Sequence, residues 1–191
     1  MKIGIDVSQT VYEKTGVAMF LLSLLEHMIA IDTQNEYILF FSSLRGSVPA
    51  RLSQLATYPH VTLKQYKIPP SLLDLLWNRL HVVPMETFIG DVDVFMSSDW
   101  TQPPSRAKKV TILYDLIVLL YPQETHNQWQ FSLKSLLVAP NIVASQKRRL
   151  RWVKKECDMV FCISKATKED AKKLLGIEEN QLTVIYPGVS I

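Results

Sequence analysis

The chain has 191 residues, of which 48% are hydrophobic and 20% are charged, enough for one domain with a substantial core and too little for two full α/β domains. Its net charge of +3 is far from the excess that indicates nucleic-acid binding by charge alone, so no nucleic-acid partner is expected. No apolar stretch approaches the roughly 20 residues of a membrane span and no signal peptide is evident, so a cytoplasmic protein is expected.

Seven short apolar runs, rich in β-branched residues, predict seven strands. In chain order they cover residues 2–6, 36–41, 61–66, 92–96, 110–115, 159–163 and 182–186. Most of them lack the alternation of a half-solvated sheet, and helical patterns separate several of them. The sequence therefore predicts an α/β fold with a doubly wound, mostly parallel sheet of about seven strands, covered on both faces.

Two helices have clear beginnings in the sequence. The first is predicted to begin at Gly16, because apolar residues follow a 3.6-residue period from there to Ile31. The last is predicted to follow the N-cap residue Ser164 and to end at Gly176.

Two further helices are predicted between the strands. One covers residues 71–81, and its apolar face is predicted to carry Leu72, Leu75, Leu76 and Leu80. The other covers residues 126–156 and contains Pro140, which should kink or divide it because the ring blocks a backbone hydrogen bond.

Ligands of open parallel sheets bind beyond the carboxyl ends of the strands. Four of these segments are unusual here: "VSQTVYEKTG", "SSDWTQPP", "YD" and "CISKAT". Thr15 and Gly16 lie at a helix N-terminus, which favours an anion such as a phosphate, although a glycine that merely starts a helix is the alternative. Asp115 either accepts hydrogen bonds from a ligand or caps the next turn, and Tyr114 either packs or forms a hydrogen bond.

A basic face is predicted on the helix that contains "QKRRLRWVKK". At 100° per residue the cations share one side and apolar residues lie opposite. The cations are Lys147, Arg148, Arg151, Lys154 and Lys155. Such a face is usually only solvated, but it also suits an anionic membrane surface or an acidic acceptor, for which Arg148, Arg151 and Lys155 are the predicted contacts.

Metal and cofactor sites have no support in the sequence. Cys157 and Cys162 flank a predicted strand with no histidine close by, so they are interpreted as reduced, mostly buried thiols. The four histidines are scattered. We therefore expect neither a metal ion nor a cofactor.

Three blocks resemble a known family: "GIDVSQTVYEKTGVAMFLLSLLEHM", "VTILYDLIVLLYPQ" and "CDMVFCISKATKEDAKKLLGIEENQLTVIYPGV". Together they look like the N-terminal half of a retaining GT-B glycosyltransferase of family four, over nearly the whole chain. The last block is the strongest, with Asp158 at a strand start, Ser164 as a helix cap and residues 186–189 as the connector. The resemblance implies two Rossmann-like domains, the first for the acceptor and the second for the nucleotide-sugar donor, and metal-independent catalysis.

The resemblance also implies a division of roles. Residues 1–191 would form a single N-terminal domain, inactive alone, which needs a C-terminal donor-binding half. Thr15, Gly16 and Ser164 would bind substrate, and Asp115 matches the aspartate of the family's catalytic His-Asp pair. Tyr114 stands where that histidine is expected, and Ser8 where many relatives have arginine.

The expected partners are a nucleotide-sugar donor, a glycan or lipid acceptor, and the inner membrane face as a peripheral contact. The alternative is a non-catalytic, glycosyltransferase-like binding or assembly module, which the tyrosine favours.

Overall fold

A computed structural model of the chain describes residues 1–121 and 142–188. Its centre is one sheet of seven parallel strands in the order β3-β2-β1-β4-β5-β6-β7. The strands are β1 (Lys2–Asp6), β2 (Glu36–Ser42), β3 (Val61–Tyr66), β4 (Val94–Ser97), β5 (Lys108–Leu113), β6 (Met159–Cys162) and β7 (Leu182–Val184). The predicted doubly wound, Rossmann-like α/β fold is confirmed, and the direction of strand succession reverses between β1 and β4.

Helices connect the strands. They are α1 (Gly16–Ile31), α2 (Ala50–Leu55), α3 (Pro70–Leu73), α4 (Glu86–Ile89), α5 (Ile117–Leu120), α6 (Ile142–Glu156) and α7 (Lys165–Asp170). π-Helical turns extend α3 over Asp74–Arg79 and α7 over Ala171–Leu175, and 3₁₀ turns cover Ser8–Val11 and Glu179–Gln181. Within the described ranges, no helix combines the length and the apolar character that a membrane span requires. The predicted helical segment 126–141 lies outside the described residues.

Both faces of the sheet are covered, as the apolar strands predicted. On one face, α1 and α2 pack on the sheet, and this core includes Phe41 of β2. On the other face, α3 and α4 pack around the adjacent residue Phe40, while α6 and α7 enclose Val160 of β6. Because successive side chains of a strand point to opposite faces, Phe40 and Phe41 enter different cores.

The predicted inner face of α3 is wrong for three of its four leucines, and only Leu76 packs half-buried against the core. Leu72, Leu75 and Leu80 are exposed, and the helix buries Leu73 and Trp77 instead. The helix widens after Leu73, where Leu80 N–H donates to Leu75 O, five residues earlier, so a period of 3.6 residues no longer identifies the inner side. The indole Nε1 of Trp77 donates to Val83 O at 2.9 Å and anchors the buried side.

The fifth strand ends earlier than predicted. Pairing with β6 stops at Leu113, so Tyr114 and Asp115 belong to the loop that follows β5. Both residues therefore lie just beyond the carboxyl end of a strand, which is the position where parallel sheets present ligand-binding side chains.

Candidate functional site

One glutamine joins the loops that follow β1, β4 and β5. Gln9 Nε2 donates to Tyr114 Oη at 3.2 Å, and Gln9 Oε1 accepts from Asp99 N–H at 2.7 Å. These three strands lie side by side and run in the same direction. The contacts therefore gather three separate chain segments at one edge of the sheet.

The polarity of the Gln9 contacts determines what Tyr114 offers. Asp99 N–H can only donate, so the amide oxygen of Gln9 faces Asp99 and the amide nitrogen faces the phenol. An amide nitrogen cannot accept, so Tyr114 Oη is the acceptor in this contact. The phenol proton thus remains available, and no group in the described part of the chain accepts it.

Tyr114 is held firmly and stays neutral. The residue is 8% exposed, and its ring packs edge-on against Phe20 with centroids 5.6 Å apart. Burial, and then the negative charge of Asp99, raise its pKa well above the ordinary value. A neutral phenol is a hydrogen-bond donor and a poor base.

A buried arginine, Arg149, forms an ion pair with Asp99. Arg149 is 1% exposed, and its Nη1 lies 3.2 Å from Asp99 Oδ1. Its Nε donates to Ser98 O at 3.1 Å and its Nη2 donates to Thr111 Oγ1 at 2.9 Å. Gln146 Nε2 donates to Asp99 O at 2.6 Å. The helix α6 therefore fixes both the backbone and the side chain of Asp99.

The Asp99 carboxylate is partly exposed to solvent, and its pKa is raised above the ordinary value. Its side chain is 26% exposed, and no described residue forms a hydrogen bond with Oδ2. Burial raises its pKa to about 6, against the opposing effect of Arg149 and with a smaller contribution from the Asp115 charge. Asp99 and Asp115 follow the adjacent parallel strands β4 and β5, so both carboxylates lie at the same edge of the sheet.

Asp115 caps the turn that follows it. Its Oδ1 accepts from Ile117 N–H at 3.1 Å, so the capping alternative is confirmed. The residue is also exposed. Capping leaves the carboxylate open to solvent, and a contact with a ligand remains a prediction.

The predicted substrate-binding residues flank Tyr114 on two sides. Thr15 caps α1 by accepting from Ala18 N–H at 3.3 Å, and Gly16 lies one helical turn before Phe20, on the same side of α1. A Cβ on Gly16 would meet no atom within 4 Å. Packing therefore does not require glycine there, and the space beside the helix N-terminus is open.

The N-terminus of α7 reaches Tyr114 from the other side. Ser164 caps it by accepting from Thr167 N–H at 3.0 Å, and Thr167 Oγ1 donates to Tyr114 O at 3.2 Å. Ser164 and Tyr114 are thus connected through one residue, and the structure brings all the predicted catalytic and substrate-binding residues to a single edge of the sheet.

The basic face of α6 is only partly free. Arg148 is 23% exposed, and its Nη2 lies 3.2 Å from the buried Asp74 Oδ2. Arg151 and Lys155 are exposed, and Lys155 Nζ lies 4.9 Å from the centre of the Trp152 ring. Of the three predicted contacts, two face solvent and one is engaged in an internal ion pair.

Sequence analysis missed Gln9, Asp99 and Arg149. Asp99 lies in "SSDWTQPP", one of the four unusual segments that follow strands, but no local pattern distinguishes it from the other residues of that segment. Arg149 was missed because it stands among the other cations of "QKRRLRWVKK". It lies four residues before the buried Val153 and thus on the inner side of the helix. A cation on the apolar side of a helix is the signal that identifies it.

The described residues contain no cluster of side chains that could bind a metal ion. In the ranges 1–121 and 142–188, no three His, Cys, Asp or Glu side chains come together as a metal site. Cys157 and Cys162 are buried and free, as predicted, and burial raises their pKa to about 12 and about 11. Thiols in this state are unreactive.

Comparison with known proteins gives one match. The model of a family described as Glycosyltransferase Family 4 matches residues 15–191, a range that contains Gly16, Asp99, Tyr114, Asp115 and Ser164. No curated protein matches the sequence significantly.

Proposed function

The chain belongs to glycosyltransferase family 4, and we propose from this premise that it forms the acceptor-binding half of an enzyme that moves a sugar from a nucleotide-diphosphate sugar to an acceptor. The observation that supports this proposal is the convergence of Gln9, Asp99, Tyr114 and Asp115 beyond the carboxyl ends of β1, β4 and β5. Open α/β sheets bind their ligands at this edge, near the point where the strand order reverses.

In the proposed reaction, catalysis consists of positioning and electrostatic stabilisation. The Tyr114 phenol donates its proton in a hydrogen bond to an oxygen of the sugar or of the acceptor. Asp99 and Asp115 accept hydrogen bonds from hydroxyl groups. The N-terminus of α1 at Gly16 faces the donor phosphates, and the transfer retains configuration, as the sequence resemblance implies.

Tyr114 can replace the expected histidine in one role only. A neutral histidine offers both a donor and an acceptor nitrogen, whereas a phenol with a raised pKa offers a donor and does not act as a base at neutral pH. The proposed function therefore depends on the direction of a hydrogen bond, which Gln9 sets.

We place the main donor site on a second, C-terminal half. An exposed helix N-terminus contributes only about 0.3–1 kcal/mol to the binding of an anion. Binding with a millimolar dissociation constant needs about 4 kcal/mol. The helix N-terminus at Gly16 alone therefore gives too little binding free energy for millimolar affinity, and the second half must supply most of it.

Calorimetry and reconstitution test the proposal. Residues 1–191 should bind common nucleotide sugars no tighter than millimolar and should transfer no sugar. Addition of a donor-binding half, fused or separate, should restore turnover. Tyr114→Phe should then lower the turnover, whereas Tyr37→Phe, at a tyrosine whose hydroxyl is bound to Asp32, should leave it unchanged. Micromolar donor binding or unaided transfer would overturn the division between the halves.

A non-catalytic binding module is the second candidate, because Tyr114 occupies the position of the expected histidine. The same experiment separates the two functions. A reconstituted protein that binds donor and acceptor but shows no turnover, with or without Tyr114→His, would favour the binding module.

We also propose that the exposed cations Arg151 and Lys155 bring the protein to an anionic membrane surface. Their exposure and their position on one face of α6 support this contact.

A further inference from the structure

A cavity opens at the carboxyl ends of β2 and β3, away from the Tyr114 site. Its volume is about 450 Å³, within the range of about 300–1,000 Å³ of small-ligand sites, and it is widely open to solvent, since six of its ten lining residues are exposed. The loop of residues 43–48 forms one wall, and the end of β3 with Lys67 forms the other. All strands are parallel, so the cavity opens on the same edge of the sheet as the Tyr114 site.

The lining of this cavity is cationic and polar. It includes the cations of Arg45 and Lys67, the hydroxyls of Ser43 and Ser47 and the amide of Gln65, and it contains no acidic residue. In the described part of the chain, neither Arg45 nor Lys67 takes part in an ion pair or a side-chain hydrogen bond. Two cations without counter-charges beside hydroxyl and amide groups suit an oxyanion on a hydroxylated ligand.

Hydrogen bonds hold the loop of residues 43–48 in place. Gly46 N–H donates to Ser43 Oγ at 2.9 Å, and Ser43 N–H donates to Tyr66 O at 3.1 Å. A Cβ on Gly46 would overlap the Val11 side chain, so this loop packs directly on the turn that also carries Gln9. These contacts fix the backbone of the wall, whereas the exposed side chains of Arg45 and Lys67 become ordered only when the ligand binds.

We propose that this cavity binds a phosphate or carboxylate group on the sugar portion of the acceptor. The assignment rests on the proposed function and adds a chemical class to it, since the acceptor would be an anionic carbohydrate. Arg45 and Lys67 neutralise the anion, and the serine and glutamine side chains bind the neighbouring hydroxyls.

The position of the cavity limits the size of the acceptor. Strands β2 and β3 lie three and four places from β5 in the sheet, which corresponds to about 14–19 Å at the usual strand spacing. A single sugar ring does not span that distance. The acceptor would therefore be an oligosaccharide or a larger glycoconjugate whose anionic group lies far from the hydroxyl that receives the sugar.

Titration of residues 1–191 by amide NMR tests the site directly, at constant ionic strength. The probes are glucose 6-phosphate, glucuronate and glucose. The anionic sugars should shift the amides of residues 43–48 and 67 in a saturable manner, and glucose should not. The relative affinities of the two anions identify whether phosphate or carboxylate is preferred.

Paired variants provide the control. Arg45→Gln with Lys67→Gln should weaken binding about tenfold, which corresponds to about 1.4 kcal/mol. Arg106→Gln with Lys108→Gln removes the same charge at the opposite edge of the sheet and should leave binding unchanged. Absence of saturable shifts, or equal weakening by both pairs, would overturn the proposal.

The outcome is independent of transferase activity. A cavity that fails to bind anionic sugars leaves the Tyr114 site and its reconstitution test intact. Failure of reconstituted turnover, with anionic sugars still bound at Arg45 and Lys67, would reject the transferase and retain the binding site.

Discussion

Gln9 and Tyr114 are separated by 105 residues in the sequence, yet Gln9 Nε2 lies 3.2 Å from Tyr114 Oη. A buried hydrogen bond of this kind typically stabilises a protein by about 0.5–1.5 kcal/mol. A double-mutant cycle of Gln9→Ala and Tyr114→Phe, measured by urea denaturation, should give a coupling energy in that range.

The control for this cycle combines Gln9→Ala with Tyr37→Phe. The Tyr37 hydroxyl donates to Asp32 Oδ2 at 2.6 Å and has no contact with Gln9, so these two changes should be additive within about 0.3–0.5 kcal/mol. Additivity in both cycles would mean that Gln9 does not hold the phenol in solution.

Arg149 should be far more important for stability than its neighbour on the same helix. Replacement by alanine leaves Asp99 without its ion pair and removes donors from Ser98 O and Thr111 Oγ1. We expect Arg149→Ala to lower the free energy of unfolding by about 3–5 kcal/mol. Arg151→Ala, at an exposed position, should change it by less than about 0.5 kcal/mol. Similar losses in both variants would contradict the buried ion pair.

The stability of the protein should fall as Asp99 ionises. The folded protein holds a proton on Asp99 up to a pKa of about 6, whereas the unfolded chain releases it near the ordinary value of about 3.9. Between these values the native state binds more protons, so the free energy of unfolding falls as the pH rises. Asp99→Asn should remove this dependence. Its free energy of unfolding relative to wild type should rise from about pH 4 to pH 6 and then become constant.

Asp32→Asn is the control for this pH dependence. The hydrogen bond from the Tyr37 hydroxyl lowers the pKa of Asp32, so its proton is already released in both states above about pH 5. The difference between Asp32→Asn and wild type should be constant from about pH 5 to pH 7. A constant difference for Asp99→Asn as well would show that its carboxyl group is ionised throughout.

Membrane association should depend on the exposed α6 residues Arg151 and Lys155. A cation near an anionic surface contributes about 1 kcal/mol to membrane binding. Charge reversal by Arg151→Glu with Lys155→Glu should therefore lower co-sedimentation with anionic vesicles at low salt by at least about tenfold. Lys64→Glu with Lys108→Glu alters net charge equally at exposed positions elsewhere. If both pairs of substitutions lowered co-sedimentation equally, the effect would come from net charge and not from a membrane-binding face on α6.

Local patterns predicted the sheet and its edge well. All seven strands were found because buried parallel strands are short apolar runs, and Ser164 and Gly176 marked the ends of one helical segment through local hydrogen bonding and a left-handed backbone at φ 62°. Non-local chemistry was not predictable. Asp99 and Arg149 form an ion pair although they lie 50 positions apart in the chain, and no period in the sequence links them. The buried side of α3 was missed because its π-helical turn changes the period on which the prediction relied.

The order of the strands in the sheet also limits which strands can pair while the chain is being synthesised. From β5 onward each new strand pairs with the one made just before it, whereas β4 pairs with β1, so Ile3 of β1 needs Tyr37 on one side and Val94 on the other. A nascent chain that ends before β4 therefore holds a three-stranded sheet with β1 as an open border. Open strand borders invite pairing with other chains. Synthesis of residues 67–97 leaves β1 unpaired on one side in this way, and synthesis of residues 114–162 leaves β5 unpaired until β6 is complete, so both intervals expose the nascent sheet to aggregation.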